Sequence, residues 1–168
     1  MPHISLPSPL GVLTLFEEEG ALVALEWGRA SETASAATPL LRAARRQLDA
    51  YFDGALQAFD LPLRATGTAF QRRVWDRLRD IPYGSIETYG ALARDLGTSP
   101  RALAGACGAN PLPVVVPCHR VVAAGGTLGG YSGGEGVETK KALLRLEGTL
   151  GWEPALFFEA QPISEDRT

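Results

Sequence analysis

The sequence predicts an α+β protein in which a small N-terminal unit, a strand hairpin and a helix over residues 1–64, precedes a mostly helical unit over residues 65–168. Residues 10–17 and 21–27 have the composition of strands, separated by a Glu-Gly turn. From residue 68 onward, apolar residues recur every three or four positions between helix-capping residues. A length of 168 residues with 45% apolar content allows one domain of ordinary size or two small ones.

The N-terminal unit contains one predicted helix. Apolar residues recur at helical spacing over residues 41–52, and Gly54 ends the segment. A short edge strand is expected over residues 58–61, before a proline. Nothing in this unit suggests chemistry.

Three helices open the C-terminal unit. Thr68 and Gln71 form a capping box for the first of them. Thr88 caps the second, and Ser99 followed by Pro100 opens the third. The second and third helices, joined by a short turn with glycine, form a helix-turn-helix pattern. Because many helical hairpins bind nothing, this pattern by itself leaves DNA binding open.

The third helix has little side-chain bulk. Its small residues are Ala102, Gly105, Ala106, Gly108 and Ala109. They would let the helix backbone approach another surface closely, and packing against a second helix explains them equally well. Cys107 lies among them and is interpreted as a buried structural thiol.

Residues 117–121 have the sequence Pro-Cys-His-Arg-Val and follow three valines, a run that predicts a buried strand ending near Cys118. Pro117 fixes one backbone dihedral and so stiffens the segment. A cysteine thiolate is the strongest side-chain nucleophile, and the imidazole of His119 could take the thiol proton near neutral pH. A cysteine after three valines is also an ordinary core residue. These residues alone leave both interpretations open.

Glycine supplies seven of the fourteen residues between positions 123 and 136, with Tyr131 and Ser132 in the middle. The segment lacks the Lys-Ser/Thr pair of a phosphate-binding loop. We interpret it as a flexible wall that lets a flat ligand approach the main chain.

A final helix is predicted over residues 138–147, with Ala142, Leu143 and Leu146 facing inward. Glu147 at its end would by default be a solvated carboxylate, placed where the helix dipole slightly disfavours negative charge. Apolar residues between positions 152 and 158 suggest a C-terminal segment that packs back on the body.

Charge and composition narrow the functional classes. The net charge is −3, but residues 65–150 carry ten Arg and Lys against seven Asp and Glu, a net of +3. This asymmetry weakly favours a polyanion facing the C-terminal unit. With no stretch of eighteen apolar residues, no secretory signal and two cysteines in different segments, we expect no membrane partner, no disulfide framework and a cytoplasmic location.

Motifs that follow one another over residues 8–148 resemble those of the O6-alkylguanine-DNA alkyltransferases. They are Ser-Pro-Leu-Gly at 8–11, Phe-Gln through Trp at 70–75, Ile-Pro-Tyr-Gly at 81–84, Thr-Tyr-Gly at 88–90, Asn-Pro at 110–111, Pro-Cys-His-Arg-Val at 117–121, Gly-Tyr-Ser-Gly-Gly at 130–134 and Lys-Lys-Ala-Leu-Leu-Arg-Leu-Glu-Gly at 140–148. The resemblance implies a ribonuclease-H-like N-terminal domain and a monomer that uses no cofactor. Its expected partner is double-stranded DNA containing O6-alkylguanine.

The resemblance also implies the chemistry. Cys118 takes the alkyl group from guanine O6 and keeps it, so that one molecule repairs one lesion. His119 acts as base through a water, while Glu147 orients the imidazole. On physical grounds, a carboxylate in this place would also favour the charged imidazole and so lower the pKa of Cys118. Tyr89 donates a proton towards N3 of the guanine, and Asn110 braces the turn before the active loop.

Further residues are implied to bind guanine and DNA. The carbonyls of Cys118 and Val121 and the backbone N–H of Ser132 would hold the base, with Tyr131 in the pocket wall. The nucleotide must leave the base stack, and Arg101 on the third helix would take its place while that helix lies in the minor groove. The other implied DNA contacts are Thr88, Tyr89 and Ala102.

Two departures from the family and three other functions were weighed. The N-terminal unit has His3 but no cysteine, so we expect none of the structural zinc that some relatives carry. Residues 135–139 form a longer segment than in some members, which affects the tolerated alkyl size. The other functions are a non-catalytic alkylated-DNA-binding protein, a cysteine hydrolase and a helix-turn-helix transcription factor.

Overall fold

The structure, a computed structural model, describes residues 1–30 and 37–149. Its N-terminal part is an antiparallel sheet of three strands in the order β1 (His3–Leu6), β2 (Leu13–Glu18) and β3 (Ala21–Trp27). The α+β class is confirmed, but β1 was not predicted from its four residues. The strand expected from residue 10 begins at Leu13, because backbone hydrogen bonds between Ser8 and Gly11 close a turn first.

Helix α1 (Pro39–Phe52) covers this sheet and confirms the predicted N-terminal helix. The Thr38 hydroxyl accepts from the Leu41 N–H and caps its start. Its buried residues are Leu41, Ala44, Leu48 and Tyr51. A tyrosine is therefore part of the face that packs on the rest of the molecule.

The edge strand expected over residues 58–61 is wrong. The Gln47 side chain accepts from the Asp60 N–H at 2.9 Å and donates to the Asp60 carbonyl at 3.1 Å, which occupies the backbone groups that a strand would pair. The chain meets the sheet only afterwards, in one isolated bridge between Leu63 and Leu22.

Helices α2 (Ala69–Leu78), α3 (Tyr89–Leu96) and α4 (Pro100–Gly108) have the predicted caps. The capping box is complete, with both Thr68–Gln71 hydrogen bonds at 3.0 Å. Helices α3 and α4 form the helix-turn-helix, and the Trp75 indole on α2 donates to the Ala106 carbonyl on α4 at 2.9 Å. These contacts fix the orientation of α4.

The strand predicted over residues 114–116 is also wrong. Val114 has a φ of 73°, and residues 114–116 form a buried turn that leads into a single 3-10 turn at Cys118–Arg120. A β-branched residue is strained at this φ. The turn persists because the Asn110 amide donates to the Val116 carbonyl and its oxygen accepts from the Leu112 N–H, both at 2.9 Å.

Strand β5 (Val121–Val122) directly follows the 3-10 turn. It pairs in parallel with the short strand β4 (Glu87–Thr88), which precedes α3. Helix α5 (Val137–Leu146) follows, with Thr139, Lys140, Leu143 and Leu144 buried. Ala142 and Leu146, expected to face inward, are half-buried. The inward face thus extends to a lysine and, one residue beyond the helix, to Glu147.

One hydrophobic core cluster contains residues of both predicted units, for example Leu48 and Leu78. A domain boundary between residues 64 and 65 stays a prediction. The apolar segment predicted after residue 151 lies outside the described residues. Within the described part of the chain, no helix has the length and apolar character needed to cross a membrane.

Candidate active site

Cys118 is 7% exposed and lines a cavity of about 390 Å³. The other lining residues are Tyr89, Ala104, Cys107, Gly108, Gly130, Tyr131 and Ser132. Helices α3 and α4 form one side of the cavity, and the glycine-rich segment forms the other. The nucleophile predicted from the sequence is therefore accessible through a pocket, despite its burial.

A second cavity, of about 350 Å³, reaches Cys118 from the side of the N-terminal sheet and shares Cys107, Tyr131 and Ser132 with the first. Its wall includes Trp27 of β3, which lies against Gly133. A Cβ at Gly133 would be 2.6 Å from the indole Nε1, so only glycine fits at this contact. The glycine-rich wall is thus in direct contact with the N-terminal sheet.

His119 is fully buried, and its Nε2 lies 2.8 Å from Glu147 Oε2. Because an ionised carboxylate can only accept, Nε2 carries the proton and donates. The other ring nitrogen, Nδ1, is buried without a hydrogen-bond partner among the described residues. In the neutral ring this nitrogen holds the free lone pair, which makes it the proton acceptor of the site.

The Glu147 carboxylate accepts four hydrogen bonds. Besides His119, Arg120 donates from Nε to Oε1 at 2.8 Å and from Nη2 to Oε2 at 3.1 Å, and the Tyr51 hydroxyl donates to Oε2 at 2.5 Å. Burial opposes ionisation, but the hydrogen bonds from His119, Arg120 and Tyr51 outweigh it and lower the pKa of Glu147 to about 2. Glu147 is 4% exposed, so the default interpretation as a solvated surface group is wrong.

The resting state of the site is neutral at the nucleophile and the base. Burial lowers the pKa of His119, and the charges of Arg120 and Lys140 lower it further. Together they outweigh Glu147, which raises this pKa. Burial likewise raises the pKa of the Cys118 thiol, against the hydrogen bond from Asn110 and the charge of Lys140. The expectation that Glu147 keeps the imidazole charged therefore needs correction, since desolvation dominates in this interior.

Lys140 is fully buried and links the glycine-rich segment to β5, which directly follows the 3-10 turn of Cys118. Its Nζ donates to the carbonyls of Val121 at 2.7 Å, Leu128 at 2.6 Å and Gly130 at 3.2 Å. Burial lowers its pKa to about 8. The Val121 carbonyl, expected to hold the guanine, thus already accepts from a lysine.

The remaining expected chemical residues lie around Cys118. Asn110 braces the preceding turn through its two hydrogen bonds, as its implied role requires. Burial, and then the neighbouring cysteines, raise the pKa of Tyr89 to about 12, so its hydroxyl stays protonated. The Tyr131 side chain lies beside Cys118, and burial followed by this thiol raises its pKa. Ser132 is exposed at the cavity rim, with its hydroxyl 3.4 Å from the Gly108 carbonyl.

The outer face of α4 is exposed and has little bulk. Arg101 and Ala102 are exposed, and no atom lies within 4 Å of where a Cβ would stand on Gly105 or Gly108. Among the small residues of this helix, Ala106 is buried. The explanation by close helix packing therefore applies to Ala106 and not to the outward face.

Three functional residues were missed or misjudged from the sequence. Arg120 belongs to the Pro-Cys-His-Arg-Val motif, and that membership was the available signal. Tyr51 follows the apolar helical spacing of its segment, and Lys140 was not assigned to either face of its helix, so neither gave a local signal. Cys107 is buried, as interpreted, and its pKa is raised to about 12 by burial, but it also lines the cavity of Cys118.

Comparison with known proteins gives matches over most of the chain. The family model of the 6-O-methylguanine DNA methyltransferase ribonuclease-like domain matches residues 1–65, and that of the DNA binding domain of the same enzyme matches residues 69–149. A methylated-DNA–protein-cysteine methyltransferase of Metallosphaera sedula is 39% identical over 150 residues, 89% of this chain and 94% of the relative. The enzyme of the same name from Mycolicibacterium paratuberculosis is 43% identical over 150 residues, 85% of this chain and 90% of the relative.

Solved structures agree with these matches. The crystal structure of Mycobacterium tuberculosis OGT in complex with DNA has a TM-score of 0.78 and 39% identity, covering 89% of this chain and 94% of that one. A crystal structure of the Mycobacterium tuberculosis O6-methylguanine methyltransferase has a TM-score of 0.74 and 40% identity, covering 92% and 95%.

The Lys140 contacts generate a first prediction. Lys140→Met leaves three carbonyls without their donor, so we expect the free energy of unfolding to fall by about 1–3 kcal/mol. It also removes a positive charge that opposes the effect of burial on Cys118, so the pKa of that thiol should rise. Urea unfolding and iodoacetamide labelling of Cys118 against pH measure the two effects.

Lys141→Met is the matched control, because this neighbouring lysine is partly exposed and pairs at 3.6 Å with Glu138 on the helix surface. It should behave as the wild type in both measurements. Equal effects of the two substitutions would contradict the role given to Lys140.

Proposed function

The chain belongs to the O6-methylguanine DNA methyltransferase family, and on that premise we propose that Cys118 takes the alkyl group from O6 of a guanine in double-stranded DNA and keeps it. The enzyme class is that of the methylated-DNA–protein-cysteine methyltransferases, which act in DNA repair. The observation that carries the residue assignment is the buried thiol of Cys118 at a cavity, next to a histidine whose proton-accepting nitrogen is defined by Glu147.

The reaction begins from neutral groups. The Cys118 proton passes to Nδ1 of His119, through a water as the family resemblance implies, and the thiolate sulfur attacks the alkyl carbon. The carbon–sulfur bond forms as the carbon–oxygen bond to guanine breaks, and the electron pair goes to the guanine. Tyr89 donates a hydrogen bond towards N3 as this negative charge develops, and the proton that His119 took from Cys118 finally neutralises the released guanine. The Glu147 carboxylate, itself paired with Arg120, stabilises the imidazolium that forms during transfer.

The product explains why the molecule would act once. A thioether is stable to water, so Cys118 remains alkylated and the protein is consumed by its single reaction. The reaction needs no cofactor, because the nucleophile, the base and the proton donor are all side chains of this chain.

Base flipping is the proposed route by which the lesion reaches the cavity. The exposed face of α4 borders that cavity through Ala104 and Gly108, so a helix lying in the minor groove would place the opening beside the base stack. Arg101, exposed in the first turn of α4, is then the side chain that fills the space left by the nucleotide. Thr88, Tyr89 and Ala102 complete the proposed DNA contacts.

A non-catalytic protein that binds alkylated DNA is the second candidate considered. Such a protein would need the cavity and α4 but neither a nucleophile nor a base. The pairing of Cys118 with the His119–Glu147 hydrogen bond favours transfer over binding alone.

The alkyl acceptor is testable by mass. After reaction with a duplex containing O6-methylguanine, intact-mass measurement should show one added methyl group per molecule, and peptide mapping should place it on Cys118. Cys107 should stay unmodified, because it lacks the adjacent histidine of Cys118 and burial raises its thiol pKa to about 12. Repair by a Cys118→Ala variant, or repeated turnover by one wild-type molecule, would disprove the proposal.

The role of Arg101 is testable with two substrates. Arg101→Ala should slow repair of duplex DNA about tenfold or more, since unstacking a base costs a few kcal/mol, and should leave reaction with free O6-benzylguanine near the wild-type rate. Arg45→Ala on α1 removes the same charge from an exposed site in the N-terminal unit, far from Arg101 in the sequence, and serves as the control. An equal loss of rate on both substrates would make Arg101 a structural residue.

Glu147→Gln tests the proton relay, by which we mean Cys118, His119 and Glu147 acting together. It keeps the shape of the side chain but removes the charge that stabilises the imidazolium, so transfer should slow about 100-fold, the lower end for positioned acid–base groups. Iodoacetamide labelling should show the pKa of Cys118 raised, whereas affinity for methylated DNA should stay near the wild-type value. Glu138→Gln, at the exposed start of the same helix, is the control. Wild-type labelling and repair by Glu147→Gln would rule out a function for this carboxylate.

A further inference from the structure

The N-terminal unit contributes a polar group to the Cys118 site. Tyr51 is fully buried on the inner face of α1, and its hydroxyl donates to Glu147 Oε2, the oxygen that also accepts from His119 Nε2. The other buried residues of that face are a leucine, an alanine and a second leucine. A tyrosine among them places a hydroxyl at a site 96 residues further along the chain.

We propose that Tyr51 is a positioning residue of the alkyl-transfer relay, through which the N-terminal unit sets the orientation and the basicity of the Glu147 carboxylate. The inference rests on the proposed function of Cys118 and His119 and extends it to a residue outside the family's active-site motifs. It also gives the N-terminal unit, which contains no other group of the relay, a part in the chemistry.

Orientation follows from the packing of the tyrosine ring. Tyr51 makes edge-on contacts with Phe52 at 5.2 Å and Tyr83 at 6.3 Å between ring centroids, and a tilted contact with Phe59 at 5.3 Å. A ring held on three sides fixes the position of its hydroxyl. Oε2 of Glu147 is therefore held against His119 by a donor that cannot move away.

Basicity follows from the sharing of one oxygen. Oε2 accepts from Tyr51, His119 and Arg120, and each of these hydrogen bonds stabilises the ionised carboxylate and so lowers its affinity for a further proton. Without the Tyr51 hydroxyl, the carboxylate would attract the His119 proton more strongly and favour the imidazolium. At pH values below the raised pKa, the imidazole would then be protonated and could not accept the proton of Cys118.

The other charged and titratable groups around His119 come from two elements. Cys118 and Arg120 flank it in the 3-10 turn, and Lys140 and Glu147 face it from α5. Tyr83 lies beneath the Arg120 guanidinium, 5.8 Å from the ring centroid. Burial, followed by the charge of Glu147, raises the pKa of Tyr51 far above its ordinary value, so this hydroxyl remains a donor throughout the working pH range.

The test is the pH dependence of single-turnover alkyl transfer in Tyr51→Phe, which removes the hydroxyl and keeps the ring. Because the pKa of His119 should rise, the acid limb of the rate profile should move upward by about 0.5–1 pH unit. Below that limb the rate should fall about threefold to tenfold. Affinity for the methylated duplex should stay unchanged, since Tyr51 lies inside the core.

Tyr83→Phe is the matched control. It removes a hydroxyl from the same aromatic cluster, but that hydroxyl donates to the Leu146 backbone carbonyl at 3.2 Å and not to the carboxylate. Its acid limb should coincide with that of the wild type. A purely structural role of Tyr51 would lower stability or amplitude without moving the limb.

A second readout is independent of the reaction. The chain has two histidines, His3 and His119, so ring carbon resonances of histidine-labelled protein can be assigned with a His3→Gln variant. In Tyr51→Phe the His119 resonance should titrate at higher pH than in the wild type, without DNA present. If wild-type protein formed no Cys118 adduct, the proposed function would fail while this titration still decided the role of Tyr51.

An unchanged acid limb together with an unchanged His119 titration overturns the proposal. Should circular dichroism show that Tyr51→Phe is unfolded, site-specific 3-fluorotyrosine at position 51 replaces it. Fluorination makes the phenol a stronger donor and should move both titrations to lower pH. The absence of that shift would equally overturn the role of Tyr51.

Discussion

The buried negative charge of Glu147 is the interaction on which the site depends. An unpaired carboxylate in a protein interior costs several kcal/mol, so it remains ionised only where donors are already in place. Here the donors come from α1 and from the 3-10 turn, while the carboxylate itself ends α5. The three elements must meet at one point for the charge to be stable. That requirement joins the N-terminal unit to the reactive turn and fixes which nitrogen of His119 accepts a proton.

The irregular segments around Cys118 are held by polar side chains in place of regular secondary structure. The turn before Pro117 contains Val114 at a positive φ and is held by Asn110. The glycine-rich wall is tied to the active turn by the Lys140 ammonium. Backbone groups in the interior need partners, and these two side chains supply them where no strand or helix does. The glycine-rich segment is thus fixed near its middle, at Leu128 and Gly130.

The sequence predicted the features that depend on neighbouring residues. Caps such as Thr68, Thr88 and Ser99 act within one helical turn, and all three were found where expected. The run over residues 114–116 matched a buried strand by composition, but the Asn110 side chain, six residues before Val116, holds its backbone as a turn. The resemblance to alkyltransferases located Cys118, His119 and Glu147 because their motifs are local strings.

Tyr51 and Lys140 could not be located in this way, because their importance lies in contacts across the fold. Tyr51 follows the hydrophobic spacing of α1, and Lys140 interrupts that of α5. Neither pattern distinguishes a buried polar partner from an ordinary residue. The identity of the partner depends on tertiary structure. The carboxylate that Tyr51 meets is 96 residues away.

The neutral resting state fits the proposed single reaction of Cys118. A cysteine is attacked by electrophiles and oxidants in proportion to its thiolate fraction. Burial raises the pKa of Cys118 and lowers that of His119, so the ion pair is disfavoured while the site is empty. Under the proposed irreversible transfer, a thiolate exposed at rest would lose repair capacity to any small alkylating agent. Under the proposed mechanism the charge forms only when the alkyl carbon is already in the cavity, and the Glu147–Arg120 pair then stabilises the imidazolium that forms. In that mechanism, the burial that makes the thiol a weak nucleophile at rest also reserves it for the alkylated base.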